Sequence, residues 1–189
     1  MAARGFCFIL DIMKEVQPFT YLGELTNIAR LQAMVDGFSE LDWNTYKERK
    51  YMNGVAGGVT ETIPLIYDPK QRINANTQHS WFHDFEPYIN DVISVSKLHL
   101  GDISVKQAMF TRLKPGINIK THKDKGPLTA KTHRIHVPIK TSDKCVFTVD
   151  NMSMSLPAGQ IWLIDNVDRY HGVSNNGDES RIHLIIDAI

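Results

Sequence analysis

Little in the 189-residue chain marks a specialised class, and each shortage excludes something. There are two cysteines, Cys7 and Cys145, and neither belongs to a CxxC or another zinc-binding pattern. A disulfide scaffold and a zinc ribbon are therefore excluded, and a reduced, cytoplasmic chain is the plain expectation. Net charge is also missing, with 21 Lys+Arg against 21 Asp+Glu. That balance argues against duplex nucleic acid or an anionic membrane as a bulk electrostatic partner, while leaving room for a local basic pocket. No window approaches the roughly 20 apolar residues of a membrane span. The apolar run Phe6 to Leu10 ends at Asp11, which is too short for a signal peptide. Repeats and low-complexity segments are absent.

What remains is a chain that is 42% hydrophobic, enough for a buried core. Two textures divide it. From Phe19 to about Tyr46 the apolar residues Leu22, Leu25, Ile28, Leu31, Val35 and Phe38 fall near helical spacing, with Thr20 as a candidate N-cap. "HSWFHDFEPYINDVISV" reads as a second helix, with Phe82, Phe85, Ile89, Val92 and Ile93 facing a core. Residues 1–100 are thus expected to be a helical and mixed support region within a single domain. From 105 to 189 short strands alternate with Gly/Pro turns, the pattern of a β-sandwich or barrel.

Within that second part, polar residues recur on one side of otherwise apolar strands. Side chains at i and i+2 of a strand share a face. In "RIHVPI" Arg134 and His136 therefore share one face, opposite Ile135, Val137 and Ile139. In "RIHLIID" Arg181, His183 and Asp187 oppose Ile182, Leu184 and Ile186. A buried arginine is costly without an anion, and its planar fork suits a carboxylate. Two such arginines with His136 suggest a pocket for a small dianion. In "THKD" His122 and Asp124 share a face, and His171 follows 47 residues after Asp124, with Arg181 ten residues further on. Two histidines and a carboxylate form a set that holds Fe(II) with open positions. An HxD alone is weak evidence, since eight histidines produce one by chance; the order and spacing of the later His and Arg add the specificity. The bland alternatives are an exposed polar turn for His122/Asp124, a surface loop for His171, a salt bridge from Arg181 to Asp187 or Asp165, and a solvent-facing edge strand for Arg134/His136.

The texts "LKPGINIKTHKD", "RIHVPI", "GQIWLIDNVDRYHGVSN" and "RIHLIID", from about Thr111 to Asp187, resemble the aspartyl/asparaginyl β-hydroxylase-like branch of the Fe(II)/2-oxoglutarate dioxygenases. The HxD form and the gap before R-x-H look closest to the bacterial cis-proline hydroxylases. The vertebrate peptidyl aspartyl hydroxylases have glycine at the aspartate position and a shorter gap. The resemblance implies a double-stranded β-helix (jelly roll, cupin-like) with N-terminal helices. It implies iron held by His122, Asp124 and His171, with 2-oxoglutarate and O2 as co-substrates. Arg181 then matches the residue that pairs with the distal carboxylate of 2-oxoglutarate, helped by Thr111. Arg134 and His136 match the R-x-H that holds the carboxylate near the metal. The implied activity is hydroxylation of an unactivated C–H, in a free proline-like amino acid, a peptidyl Asp, Asn or Pro residue, or a lipid or other small metabolite, in that order. The other readings are a non-catalytic cupin-like ligand-binding module and a zinc hydrolase; the latter lacks a general-base Glu beside the metal motif. His183 is expected as a supporting or core histidine. Trp43, Tyr46, Tyr51 and Trp81 are candidates for a substrate mouth, with core packing as the alternative.

Overall fold

A computed structural model describes residues 17–46, 55–74 and 77–189. Cys7, the run Phe6 to Leu10 and Tyr51 lie outside the described residues. Ten strands are defined among them: β1 (Phe19–Glu24), β2 (Glu61–Ile66), β3 (Val105–Leu113), β4 (Asn118–His122), β5 (His133–Lys140), β6 (Cys145–Val149), β7 (Met152–Met154), β8 (Gln160–Ile164), β9 (His171–Asn175) and β10 (Arg181–Ala188). They form a larger sheet ordered β1-β8-β5-β10-β3-β2 and a smaller one ordered β4-β9-β6-β7. Every pairing is antiparallel. The helices are α1 (Ile28–Asp36), α2 (Glu40–Thr45) and α3 (Phe82–Leu100).

The two-residue strand period sorts the side chains of the larger sheet onto two very different faces. Outward go Ala108 and Phe110 of β3, Ile135, Val137 and Ile139 of β5, and Ile182, Leu184 and Ile186 of β10. These join Leu31 and Val35 of α1 and Phe85, Ile89 and Val92 of α3 in one core. Inward go Leu113 of β3 and Ile164 of β8, which meet Ile119, Phe147, Val149 and Val173 from the smaller sheet in a second core. The smaller sheet thus closes over the inner face of the larger one, giving a double-stranded β-helix braced by helices on its outer side. Arg134, His136, Arg181, His183 and Asp187 all sit on strand positions that point into this closed space.

The helices are fastened to the sheet by more than apolar contact. Ser39 and Asp42 form a reciprocal capping box at the start of α2. Its first residue, Glu40, accepts from Arg112 Nη2 at 2.8 Å, and Glu61 of β2 accepts from Arg112 Nε at 2.6 Å. The Arg112 guanidinium lies 4.7 Å over the Trp43 ring. Among the described residues no helix is long and apolar enough to cross a membrane.

The expected helical stretch from Phe19 to Tyr46 is corrected: its first six residues are β1, and Thr20 lies in that strand rather than at a helix cap. Asn27, in the left-handed region at φ 59°, precedes α1 and makes no side-chain cap bond. The helical reading arises because Leu22, Leu25 and Ile28 fall at steps of three, although only Leu22 belongs to the strand. Pairing of β1 with β8, Tyr21 opposite Trp162, decides it. The N-terminal region is also more than a support, since β1 and β2 form both edges of the larger sheet. Gly23 allows a bulge there: its φ is +148°, and a Cβ would stand 2.6 Å from Val95 of α3.

Leu184 lies at the centre of β10 with no exposed surface. Leu184→Ala should lower the unfolding free energy by about 2–5 kcal/mol, read from urea denaturation.

Candidate metal and anion site

His122 is the last residue of β4 and His171 the first of β9, and the two are paired across the ladder of the smaller sheet. The backbones approach closely beside them. A Cβ on Gly172 would stand 3.1 Å from the Ile119 carbonyl oxygen and 3.3 Å from the Thr121 nitrogen. Glycine at 172 lets the strands come near enough for the two imidazoles to lie 4.3 Å apart, centroid to centroid. The sequence places His171 just after a turn or loop, and the structure makes it the start of a strand, held by pairing with β4 and β6.

Asp124 follows β4 by two residues. Its backbone N–H donates to the Asn166 carbonyl at 2.8 Å. Its Oδ1 lies 3.3 Å from His122 Nε2 and 3.7 Å from His171 Nε2. One ligand atom from each of the three residues falls within 4.8 Å of the others, a grouping suited to a metal ion. His122 Nδ1 lies 2.8 Å from the Lys120 carbonyl, which favours a proton on Nδ1, so that Nε2, the nitrogen beside Asp124, is the one a cation would engage. The other carboxylate oxygen, Oδ2, accepts from Arg134 and from the Asn166 side-chain amide. Burial opposes ionisation of Asp124, yet Arg134 and the two histidines hold it well below the usual carboxylate range. Burial pushes His171 down to about 4, while the bond to Asp124 raises His122.

The sequence-expected anion residues divide in their surroundings. Arg181 is buried and has no carboxylate partner among the described residues. Its guanidinium meets His183 Nδ1 at 2.9 Å and lies 5.7 Å from the Phe147 ring. Burial without a counter-charge lowers it to about 10. Neither Asp165 nor Asp187 pairs with it; Asp165 faces Arg169. Arg134 is placed differently: Nε and Nη2 donate to Asp187 at 2.7 and 2.9 Å, and Nη1 donates to Asp124. With every nitrogen engaged, Arg134 is less free to take a ligand carboxylate than the motif comparison implies. His136 is buried, and its Nδ1 has no hydrogen-bond partner among the described residues.

Two adjoining hollows meet at His122, Asp124 and Arg134. The inner one, about 60 Å³, runs between the two sheets and is lined by His136, His171, Thr111 and Arg181 as well. The outer one is an open cleft of about 560 Å³, bordered by Tyr67, Gln71, Gln107, Lys123, Lys125 and Tyr170. The aromatic candidates fare unequally. Trp43 is buried under Arg112, and Trp81 packs on Phe38, both on the helical side. Tyr46 packs edge-on against Tyr67, a cleft residue, with ring centroids 5.5 Å apart.

Sequence reasoning missed Asn166, Gln107 and the pairing of Asp187 with Arg134. Asp187 carried a signal, being an acid on the inward positions of an apolar strand. Asn166 and Gln107 carried none.

The family model described as Aspartyl/Asparaginyl beta-hydroxylase matches residues 37–189. The glycine–tRNA ligase beta subunit of Listeria welshimeri is 29% identical over 100 residues, 53% of this chain; the chain spans 12% of that protein's length. An oxidoreductase of the 2OG-Fe(II) oxygenase family from Burkholderia pseudomallei superposes with a TM-score of 0.55 at 9% identity, covering 68% of this chain and 65% of that one. A Pseudomonas putida prolyl-4-hydroxylase gives 0.54 at 11% identity, covering 92% of each. At these identities the structural likenesses are likenesses of fold.

His183 accepts from Arg181, so its ring is neutral in the folded protein, and burial followed by Arg181 places its pKa well below the ordinary value. The unfolded chain takes up a proton near pH 6.5 and the folded one does not, so stability falls as pH drops below that point. The slope contributed is about 1.4 kcal/mol per pH unit per histidine. Urea denaturation of the metal-free protein from pH 7.5 down to about 5.5 should show a shallower loss for His183→Gln than for the wild type.

Proposed function

Because the chain belongs to the aspartyl/asparaginyl β-hydroxylase family, we propose that it is an Fe(II)- and 2-oxoglutarate-dependent hydroxylase acting on an amino acid or peptide side chain. The observation that carries this reading is the inner hollow. A His–Asp–His set stands at one part of its wall, and a buried guanidinium with no carboxylate partner among the described residues stands at another. Uncompensated burial of Arg181 disfavours the folded state. A ligand carboxylate entering the hollow would restore the balance.

In this reading His122, Asp124 and His171 hold the iron. Arg181 receives the distal carboxylate of 2-oxoglutarate through its planar fork, with Thr111 beside it. His136, with its open Nδ1, faces the part of the co-substrate nearer the metal. Iron, 2-oxoglutarate and O2 supply the oxidation that converts a C–H bond to C–OH, yielding succinate and CO2. The chain's own residues bind, orient and keep the reacting groups between two sheets. The outer cleft, opening directly onto the proposed metal ligands, receives the substrate. Lys123 and Lys125 on its rim favour a substrate that presents a carboxylate. A free proline-like amino acid and a peptidyl Asp residue each present one, and they rank ahead of a peptidyl Asn or Pro residue on that ground. With Cys145 a free, buried thiol, the cytoplasm is the compartment proposed.

A non-catalytic ligand-binding module would not need both the metal set and the open cleft. Anaerobic protein with Fe(II) and 2-oxoglutarate should develop a weak visible charge-transfer band, and in air it should form succinate slowly without substrate. Absence of both would overturn the reading. Arg181→Met separates a co-substrate role from a structural one. It should leave the metal-free protein as stable or more stable in a thermal melt, because it removes a buried charge, while 2-oxoglutarate binding is lost.

A further inference from the structure

Asp124 is gripped at one oxygen only. Arg134 and the Asn166 amide both donate to Oδ2, while Oδ1 is left facing the two histidines. The grip is itself built on a deeper pair. Asp187, without exposed surface, receives Nε and Nη2 of Arg134 at 2.7 and 2.9 Å. Gln107, also buried, donates to Asp187 Oδ2 at 2.8 Å. Asp187 and Arg134 are direct cross-strand partners on β10 and β5, and Gln107 is opposite Asp187 on β3. Three neighbouring strands of the larger sheet thus form a relay, Gln107–Asp187–Arg134, that ends on a residue attached to the smaller sheet.

We propose that Asp187 and Gln107 are positioning residues which, acting through Arg134, hold Asp124 as a one-oxygen metal ligand. The proposal rests on the metal-site reading above. Its physical basis has two parts. Hydrogen bonds to Oδ2 occupy the lone pairs that a two-oxygen ligand would turn to the metal, so Oδ1 alone is presented. That leaves more of the metal's positions open to co-substrate and oxygen. The second part is charge. Arg134 facing Asp124 alone would neutralise the carboxylate on which cation binding depends. Asp187 balances the arginine, so the trio keeps one net negative charge for the incoming cation.

The test uses Co(II), whose visible bands report the ligand set. Full-length protein is stripped of metal and titrated with Co(II), and affinity and band positions are recorded. Wild type should bind. Asp187→Asn, which keeps the shape and removes the charge, should weaken Co(II) by about 10–100-fold and shift the bands. If Asp187 acts through Arg134, the double variant Asp187→Asn/Arg134→Gln should bind no more weakly than Arg134→Gln alone. Gln107→Met, which leaves all charges in place, should give a smaller loss in the same direction and serves if Asp187→Asn fails to fold. A folded Asp187→Asn protein with wild-type affinity and unshifted bands overturns the proposal, as do additive effects in the double variant. If wild type binds no Co(II), the metal-site reading itself falls and this proposal with it. If wild type binds and the variants match it, only the relay is wrong.

Discussion

Asp187 and Arg134 face each other across β10 and β5, the two central strands of the larger sheet, and the pair fixes how those strands are read. Both are inward positions. Their neighbours Ile186 and Ile135, also opposite one another, point outward into the helical core. A slip of one residue would put the ion pair among Leu184, Val137 and Phe85 and turn the isoleucines into a cavity lined by histidines. Either displacement is costly, because a charge without its partner is expensive in an apolar environment and register cannot shift by one without exchanging faces. The pair is thus a register mark for the fold as well as a part of the site.

The inner surface carries polar groups at the expense of stability, and it does so in two different ways. Arg134 is compensated on each side by acids and sits in a closed ion-pair network. Arg181 is more deeply buried and, among the described residues, meets a histidine nitrogen and an aromatic ring with no carboxylate. His136 and His183 stay neutral between these cations because burial and the adjacent guanidinium groups disfavour a further charge. The first arrangement is rigid and complete. The second is incomplete in a defined place, which is the form a binding site for a small anion takes.

Much of this was legible in the sequence, for a specific reason. Period-two alternation in "RIHVPI" and "RIHLIID" separates the apolar from the polar face without any knowledge of tertiary structure, and the spacing from Asp124 through His171 to Arg181 brings the motif comparison into register. β1 was not legible, because Leu22, Leu25 and Ile28 keep helical steps of three across the end of the strand, and only the pairing with β8 shows where the helix begins. The strand at His171 was hidden by the preceding "DNVDRY", whose polar character reads as loop. The employment of Arg134 could not be foreseen either. An arginine on an inward strand face has the same appearance whether its partner is a ligand or an aspartate 53 residues away.

Gly172 sets the spacing of the two strands that carry the imidazoles by main-chain contact. The distance between β4 and β9 there is set by main-chain atoms meeting main-chain atoms, with no intervening side chain whose rotamer could change it. Such a contact has little conformational freedom left to lose when a cation arrives, so the entropic cost of organising the two rings has already been met during folding. It also means that the spacing of the two strands does not depend on the exchange of rotamers nearby, and that thermal softening of the surrounding apolar core should reach that spacing late.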